Sequence, residues 1–430
     1  MPDNNFIRFL LLEDPNVRTV VFGTILLNLS ASVVGTFAFL QKKSLSGDAV
    51  AHSILPGICM AFILFQTKSL WVLLPGAFVT GWLSLYLVDL ISRYSKLKQD
   101  TAIAVVLSVF FAIGIILLTY IQHSGSGAQS GLDSFLFGKA AALLEKDLLT
   151  YGIISILVIG VTAFFFKEFM LISFDATYAG SIGVPVRGLQ LVLTTLTVIA
   201  IVTGIQSVGV VLMSAMLITP AVAARYWTDN LKRLLTLAVL FNTLAAIIGA
   251  YISYRYPSMP TGPWIVLVIS LFAFASILFA PKKGVVYSTY RVFKHKSLIL
   301  KENILKALYQ LGEKDNRFRD TRALNNLLAK RDLPLWQVYP ALYRLMFEGY
   351  LQHTSEGWAL TTEGMERGKR IVRLHRLWEM YLSKNLLLAA DHVHDDAETI
   401  EHILTPELEK RLEKSLNFPE VDPHSSKIPR

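Results

Sequence analysis

The chain has 430 residues, of which 53% are hydrophobic, and its formal net charge at pH 7 is +9. This apolar content excludes an ordinary soluble protein, and most of it falls within residues 18–281. The single cysteine, Cys59, excludes a disulfide within the chain. The length predicts one large membrane domain followed by something smaller.

Nine segments are predicted to span a membrane, because a spanning helix needs roughly 20 mostly apolar residues. They are residues 18–40, 49–66, 69–92, 102–121, 147–166, 188–205, 207–225, 232–254 and 262–281. Basic residues are more frequent in alternate loops, which predicts an N-terminus outside and a C-terminus inside. We expect eight or nine spans, since the 49–66 segment is a weak candidate.

A carboxylate and an imidazole, Asp48 and His52, lie between two long apolar runs. Ionisable groups near membrane depth are costly and commonly mark a transport path. A spacing of four places both on one face of a helix, and Pro56 removes the donor that would pair with the His52 carbonyl. These groups could converge on a divalent cation. The alternative is that Asp48 caps a helix and His52 is an ordinary buried histidine.

Residues 168–187 separate two predicted spans and read EFMLISFDATYAGSIGVPVR. The segment has helix-forming length, with small residues at Gly180 and Gly183 and a stop at Pro185. One interpretation is a short helix, parallel to the membrane, that docks into a partner. The other is a simple connecting loop.

Three motifs in the apolar part resemble the permease subunit of bacterial manganese/zinc/iron ABC transporters. They are GDAVAHSILPG, SFDATYAGSIGVPV and SVGVVLMSAMLITPAVAA. The resemblance covers about residues 18–285, in the right order. It implies that Asp48 and His52 line the metal path. It also implies that an ATPase subunit engages the second motif, with these coupling residues: Asp175, Gly180, Gly183 and Pro185.

The resemblance implies a transporter permease in the bacterial inner membrane rather than an enzyme. The sequence has no Gly-x-x-x-x-Gly-Lys-[Ser/Thr] phosphate loop, so ATP hydrolysis is expected on a separate chain. A second permease subunit, identical or different, and an extracytoplasmic metal-binding protein are the other implied partners. The alternative is a proton-coupled or channel-type metal carrier whose tail serves only regulation or oligomerisation.

The composition changes after the apolar part. We expect a permease domain over 1–285, a basic and interrupted linker over 286–301, and a winged helix-turn-helix domain over 302–370. A metal-binding and dimerisation domain is expected over 371–430. The last two parts are expected to be cytoplasmic.

The helix predicted over residues 334–348 is the recognition helix of the winged-helix plan. Its candidate DNA contacts are Gln337, Tyr339 and Arg344, although it offers few of the side chains that usually read bases. Arg319, Arg322, Lys330 and Arg331 are candidates for phosphate contacts. The alternative is a winged helix that makes only protein contacts.

Six potential metal ligands follow on two neighbouring predicted helices. They are His375, Glu379, His394, Glu398, Glu401 and His402. Oxygen and imidazole donors without thiolate suit Mn(II) or Fe(II), with Zn(II) as a further option. The alternative is a solvated polar face stabilised by salt bridges within the helices.

The tail also resembles the metal-dependent repressors of the diphtheria-toxin-repressor type. The residues that carry this resemblance are ENILKALYQL, RLHRLWEMYL, HVHDDAETIEHILTPELEKRLEK and FPEVDPHSSKIP. The resemblance assigns His375, Glu379 and His394 to one metal site. The remaining three ligands form the other, where a glutamate at 398 is of the manganese type. Asn303 replaces a Met or Asp ligand of that family, which implies weaker coupling of metal to DNA reading.

Overall fold

The computed structural model describes residues 4–67, 69–123, 138, 143–256, 259–330, 334–385, 406–424 and 426–429. It contains two compact units, Met1–Tyr287 and Ser288–Arg430. Helices dominate both units, and the only paired strands among the described residues form one small hairpin. The expected fold class, a helical polytopic membrane domain followed by a winged-helix and helical tail, is confirmed.

The first unit consists of helices. They are α1 (Asn4–Leu10), α2 (Pro15–Leu40), α3 (Ser46–Ser53), α4 (Leu55–Phe65), α5 (Leu70–Tyr94), α6 (Gln99–His123), α7 (Glu145–Phe164), α8 (Phe166–Phe174), α9 (Ala176–Ser181), α10 (Val186–Val208), α11 (Val210–Arg225), α12 (Leu231–Arg255) and α13 (Thr261–Phe279).

Eight stretches of the described residues are long and apolar enough to cross a membrane. The predicted span 207–225 is the exception, because α11 has only 16 residues. At 1.5 Å per residue it is about 24 Å long, less than the roughly 30 Å of a hydrocarbon core. Gly209, at a φ of +90°, separates it from α10. The predicted span 49–66 consists of α3 and α4, which break at Ile54.

Helix α2 lies at the centre of the membrane unit and packs against α7, α10, α11 and α12. Close packing depends on glycine: a Cβ added at Gly35 would lie 1.9 Å from the Leu217 carbonyl oxygen. Buried amides also join the helices. Asn242 donates to the Ser32 hydroxyl at 2.8 Å, and Asn28 donates to the Asn242 carbonyl at 3.1 Å. The small residues and the amides together position α11 beside the helices that carry the first candidate site.

The second unit has the winged-helix order of elements. They are α14 (Val285–Asp315), α15 (Leu324–Lys330), α16 (Leu335–Phe347), β1 (Leu351–Thr354), β2 (Gly357–Leu360), α17 (Thr362–Asn385) and α18 (Pro406–Ser415). The strands are antiparallel, with Leu351 opposite Leu360. Apolar residues of α14, α16, the hairpin and α17 form one core, including Ile304, Leu342 and Val372.

The segment 286–301, predicted as an interrupted linker, is helical. Helix α14 runs without a break from Val285 to Asp315 and begins in the first unit. The reason is that no glycine or proline occurs from Val285 to Leu311, so nothing stops helix propagation. The four-part division of the chain itself stays a prediction.

Candidate functional site

The membrane unit brings the first candidate pair together. Asp48 lies in the first turn of α3 and His52 in its last turn, and His52 Nε2 is 3.5 Å from Asp48 Oδ1. The capping position of α3 is Leu45, which makes no side-chain cap. Asp48 is therefore not the helix cap, and that alternative is wrong.

A third polar group completes this site from a distant part of the chain. The Ser214 hydroxyl on α11 donates to Asp48 Oδ1 at 3.4 Å. Gly47 allows the approach, because a Cβ there would lie 3.0 Å from Leu217 Cδ2. Sequence reasoning did not select Ser214, although the residue lies within the third permease motif. The only local signal was a hydroxyl in an otherwise apolar helix.

The histidine of this site keeps one nitrogen without a protein partner. His52 Nδ1 is buried and has no hydrogen bond within the described part of the chain. The ring is held edge-on against Phe111 at a centroid distance of 5.1 Å. A carboxylate, an imidazole and a hydroxyl thus meet at one place, and these are donors that divalent cations accept.

A cavity of about 340 Å³ opens beside the start of α3, where Ser46 lines it. Its charged lining is mostly basic, from Lys43, Arg93 and Arg187, and Asp89 is already paired with Arg93 at 2.8 Å. Burial, together with the charge of Arg93, lowers the pKa of Lys43 from its ordinary value. Such a lining repels a divalent cation, so the cavity is a poor candidate for the metal site.

The segment expected to couple to an ATPase forms two short helices, α8 and α9, rather than one. They break at Asp175, whose side chain accepts the Tyr178 N–H at 2.8 Å and so caps α9. Gly183 adopts a φ of +87°, which favours glycine. Pro185 stands at the capping position of α10. Three of the four predicted coupling residues therefore shape the connection from α8 to α10.

Three apolar side chains are exposed along α8 and α9, and they are here called the apolar stripe. Phe174 is the last residue of α8, Tyr178 lies on α9 and Ile182 directly follows α9, and each side chain is more than half exposed. Gly180 lies on the same short helix and has no neighbour closer than 3.9 Å to an added Cβ. The stripe is a surface on which a protein partner can dock.

The C-terminal unit brings His375 and Glu379 together on α17. His375 Nε2 is 3.0 Å from Glu379 Oε1, and both side chains are buried. The other four predicted ligands, His394, Glu398, Glu401 and His402, lie outside the described residues. Within the described part of the chain, no three His, Cys, Asp or Glu side chains are grouped to hold a metal.

The next residue on α17 joins three elements. Arg376 makes two hydrogen bonds to the Glu313 carboxylate, at 2.8 and 2.7 Å, and its Nε is 3.4 Å from Asp422. Burial acts to lower the pKa of Arg376, but the hydrogen bonds and charges of these carboxylates outweigh burial and raise it. Asp422 also accepts the His424 and Ser426 N–H groups. The Asp-Pro-His ending is thereby tied to α14 and α17.

Polar side chains of α14 are buried in the same unit. The Asn303 side-chain oxygen is buried and has no hydrogen-bond partner in the described part of the chain. Glu302 and Lys306 are buried as well, and Arg367 of α17 donates to Glu302 at 2.5 Å. This unpartnered amide oxygen lies at the position that the repressor resemblance assigns to a ligand.

The exposed face of the recognition helix α16 is aromatic. Gln337 and Tyr339 are exposed as expected, and Trp336 and Tyr343 are exposed beside them. Arg344 is exposed but donates to the Ser297 hydroxyl at 3.2 Å.

Two of the four candidate phosphate contacts outside this helix, Arg319 and Arg322, are engaged within the protein, whereas Arg331 and the side chain of Lys330 lie outside what the structure describes. Arg322 makes a bidentate ion pair with Asp315, and Arg319 donates to Thr362. Arg319 and Arg322 would therefore have to leave these partners in order to contact DNA.

Comparison with known proteins identifies both parts of the chain. Residues 13–280 match the ABC 3 transport family. The chain belongs to that family. Residues 361–430 of this ABC 3 permease match the metal binding and dimerisation domain of the iron dependent repressors. Both resemblances are confirmed, and the carrier alternative is not favoured.

Individual relatives of this ABC 3 permease support the same family membership. It is 42% identical over 382 residues to the manganese transport system membrane protein MntC of Bacillus subtilis, covering 89% of this chain and 87% of that protein. It is 41% identical to the zinc transport system membrane protein TroC of Treponema pallidum, covering 65% of this chain and 94% of that one. The solved structure of PsaBC from Streptococcus pneumoniae in complex with Fab is 32% identical. That match has a TM-score of 0.58 and covers 65% of this chain and 97% of that chain.

Proposed function

We propose that the protein is the permease subunit of an ATP-driven importer of a divalent metal, Mn(II), Fe(II) or Zn(II). The observation that carries the proposal is the meeting of Asp48, His52 and Ser214 at one place in an ABC 3 permease. The names of the relatives, which refer to manganese and zinc transport, support the choice of cargo. The C-terminal unit senses the same class of ion.

The transported metal is the cargo, and the two side chains of α3 are its ligands along the path. Both are partly accessible, so a cation can reach them without a change in the helix. The break at Ile54, next to Pro56, gives α3 freedom to move separately from α4. Alternating access exposes Asp48 and His52 to each side of the membrane in turn.

Energy for transport comes from ATP hydrolysed on a separate chain. The support is the exposed stripe of Phe174, Tyr178 and Ile182, beside Gly180 on α9. An ATPase groove accepts such a stripe as helix-in-groove recognition. The test is co-purification with the ATPase subunit: changing Phe174, Tyr178 and Ile182 to Ser should abolish it. Retention of the ATPase by this variant would contradict the assignment.

The other partners follow from the same proposal. A second permease subunit, the same chain or a related one, completes the membrane pore, and an extracytoplasmic metal-binding protein delivers the ion. The chain lies in the bacterial inner membrane with its C-terminal unit in the cytoplasm. The basic residues of the loops support this orientation, with the short α11 crossing as the seventh of nine segments where the bilayer thins locally.

His375, Glu379 and His394 would hold one metal ion of the sensor, and Glu398, Glu401 and His402 would hold the other. The unpartnered Asn303 oxygen is the donor from α14. A bound divalent ion would balance the negative charge of the buried Glu379 carboxylate. The residues of the chain position the ligands: His375 and Glu379 orient one another, and Arg376 fixes α17 to α14.

The sensing unit acts in one of two ways. Metal binding in the attached tail inhibits transport, or the tail binds operator DNA through Gln337, Tyr339 and Arg344. The test is metal inhibition of uptake after deletion of residues 302–430. Loss of inhibition supports the attached sensor. Unchanged inhibition, together with metal-dependent operator binding by the whole chain, supports the DNA role.

A further inference from the structure

The first half of α14 is strongly basic. Residues 282–301 contain six basic side chains and no acidic one: Lys282, Lys283, Arg291, Lys294, Lys296 and Lys301. Lys283 bonds to Asp229 and Lys301 to Glu348. The other basic residues on the helix, Arg291, Lys294 and Lys296, make no ion pair within the described part of the chain.

Two large aromatic side chains are exposed among these cations. Tyr290 is 61% exposed and Phe293 is 63% exposed. At about 100° per residue they lie about 60° apart on the helix. By the same count, Lys294 lies about 40° beyond Tyr290, and Lys296 lies about 60° beyond Phe293 on the other side. The helix thus carries a narrow aromatic face between two lysines, here called the Tyr290–Phe293 face.

The winged-helix core covers this side of α14 only further along. Ser297, one turn after Phe293, accepts a hydrogen bond from Arg344 of α16. Lys301, one turn later still, is paired with Glu348 at 2.6 Å. The Tyr290–Phe293 face therefore ends where α16 begins to cover the helix. It is not part of the core of the second unit.

We propose that the Tyr290–Phe293 face binds the surface of a bilayer that contains anionic phospholipid. Lysines on both sides complement the phosphate groups, and aromatic rings favour the boundary between head groups and acyl chains. The last candidate span ends at Phe279, and α14 begins at Val285, so only a short connection separates the membrane-spanning part of the chain from this helix. A nucleic-acid duplex would contact the lysines but, because its bases are paired and stacked on one another, would leave both rings in water.

The test uses the full chain with its only cysteine removed by Cys59→Ser. A fluorophore is attached at Phe293→Cys, or in the matched control at His295→Cys, which is about 200° away on the helix. Each protein is reconstituted into vesicles of phosphatidylcholine, with or without phosphatidylglycerol, that contain spin-labelled lipid as the quencher. We expect stronger quenching at 293 than at 295, and an increase at 293 when phosphatidylglycerol is present.

The lysines give the second measurement. Each of Lys294→Gln and Lys296→Gln should lower the bound population about fivefold in vesicles with phosphatidylglycerol, and salt should lower it as well. Equal quenching at both positions, or no dependence on phosphatidylglycerol, would overturn the proposal. A response of the 293 label to duplex DNA but not to phosphatidylglycerol would overturn it in favour of nucleic acid.

Discussion

The two units each contain a carboxylate and an imidazole four residues apart on one helix, but the two pairs differ in burial. In the membrane unit the Asp48 and His52 side chains are 40% and 20% exposed, and their atoms are 3.5 Å apart. In the C-terminal unit His375 and Glu379 are each 3% exposed and 3.0 Å apart. The same spacing therefore gives one open, loosely joined pair and one closed pair. The open pair suits an ion in transit, and the closed pair suits an ion that stays.

The largest expected effect is on transport through the open pair. Asp48→Ala or His52→Ala should lower metal uptake by about a hundredfold or more, because loss of even an outer-shell partner costs about 10- to 100-fold at metal sites. Uptake of radioactive manganese by cells that produce equal amounts of membrane-inserted protein is the measurement.

The control for that experiment is Asp89→Asn, which removes a carboxylate from the membrane unit without touching the pair. Asp89 lines the basic cavity and pairs with Arg93. Uptake by this variant should stay near the wild-type rate. If the Asp48 and His52 variants transport metal as well as the Asp89→Asn variant does, the metal path lies elsewhere.

The closed pair should govern metal retention rather than transport. Glu379→Ala should weaken Mn(II) binding by the full chain at least about tenfold, because a buried histidine loses its charged partner. Glu366→Ala changes an exposed carboxylate on the same helix and serves as the control. Calorimetry on both proteins checks this, and equal affinities would show that Glu379 is not a ligand.

The next effect concerns the ion pairs that hold the closed pair in place. Arg376→Met should lower the free energy of unfolding of the C-terminal unit by about 3–5 kcal/mol, since it leaves buried Asp422 without its partner. Arg317→Met removes an exposed pair with Asp320 at 3.6 Å and should cost less than about 1 kcal/mol. Thermal unfolding of the two full-length variants should therefore differ clearly, and equal shifts would contradict the role of Arg376.

The smallest expected effect is a pH dependence in the winged helix. The hydrogen bonds from Arg322 hold the pKa of Asp315 below its usual value. The ion pair therefore adds stability above the ordinary aspartate pKa of about 3.9, and this contribution is lost as the pH falls through the lowered value. Asp315→Asn should reduce stability slightly at pH 7 and by less at pH 3. A loss of equal size at both values would contradict this explanation.

Much of this comparison could be predicted from local sequence. Hydropathy predicted the long spans. A spacing of four residues predicted both carboxylate–imidazole pairs, because each pair lies within one helix. The contribution of Ser214 could not be predicted in this way. It lies 166 residues from Asp48, and it meets that residue only through the packing of α3 on α11.

The basic segment after the last span shows a different limit. Its charge suggested an interrupted linker, but charge does not interrupt a helix, whereas glycine and proline do. The continuous α14 follows from their absence between Val285 and Leu311. The short α11 was also predicted as a full span. Composition alone does not reveal that the break at Gly209 delays the start of this helix to Val210.

The central claim is that the two pairs bind two separate metal ions, one in transit and one retained. The claim is tested directly by titrating the full chain with Mn(II) and measuring the free ion by electron paramagnetic resonance. We predict a weak class of sites that the double variant Asp48→Ala/His52→Ala removes, and a tight class that loses one ion in the double variant His375→Ala/Glu379→Ala. A single class of sites, or binding that neither double variant changes, would contradict the account.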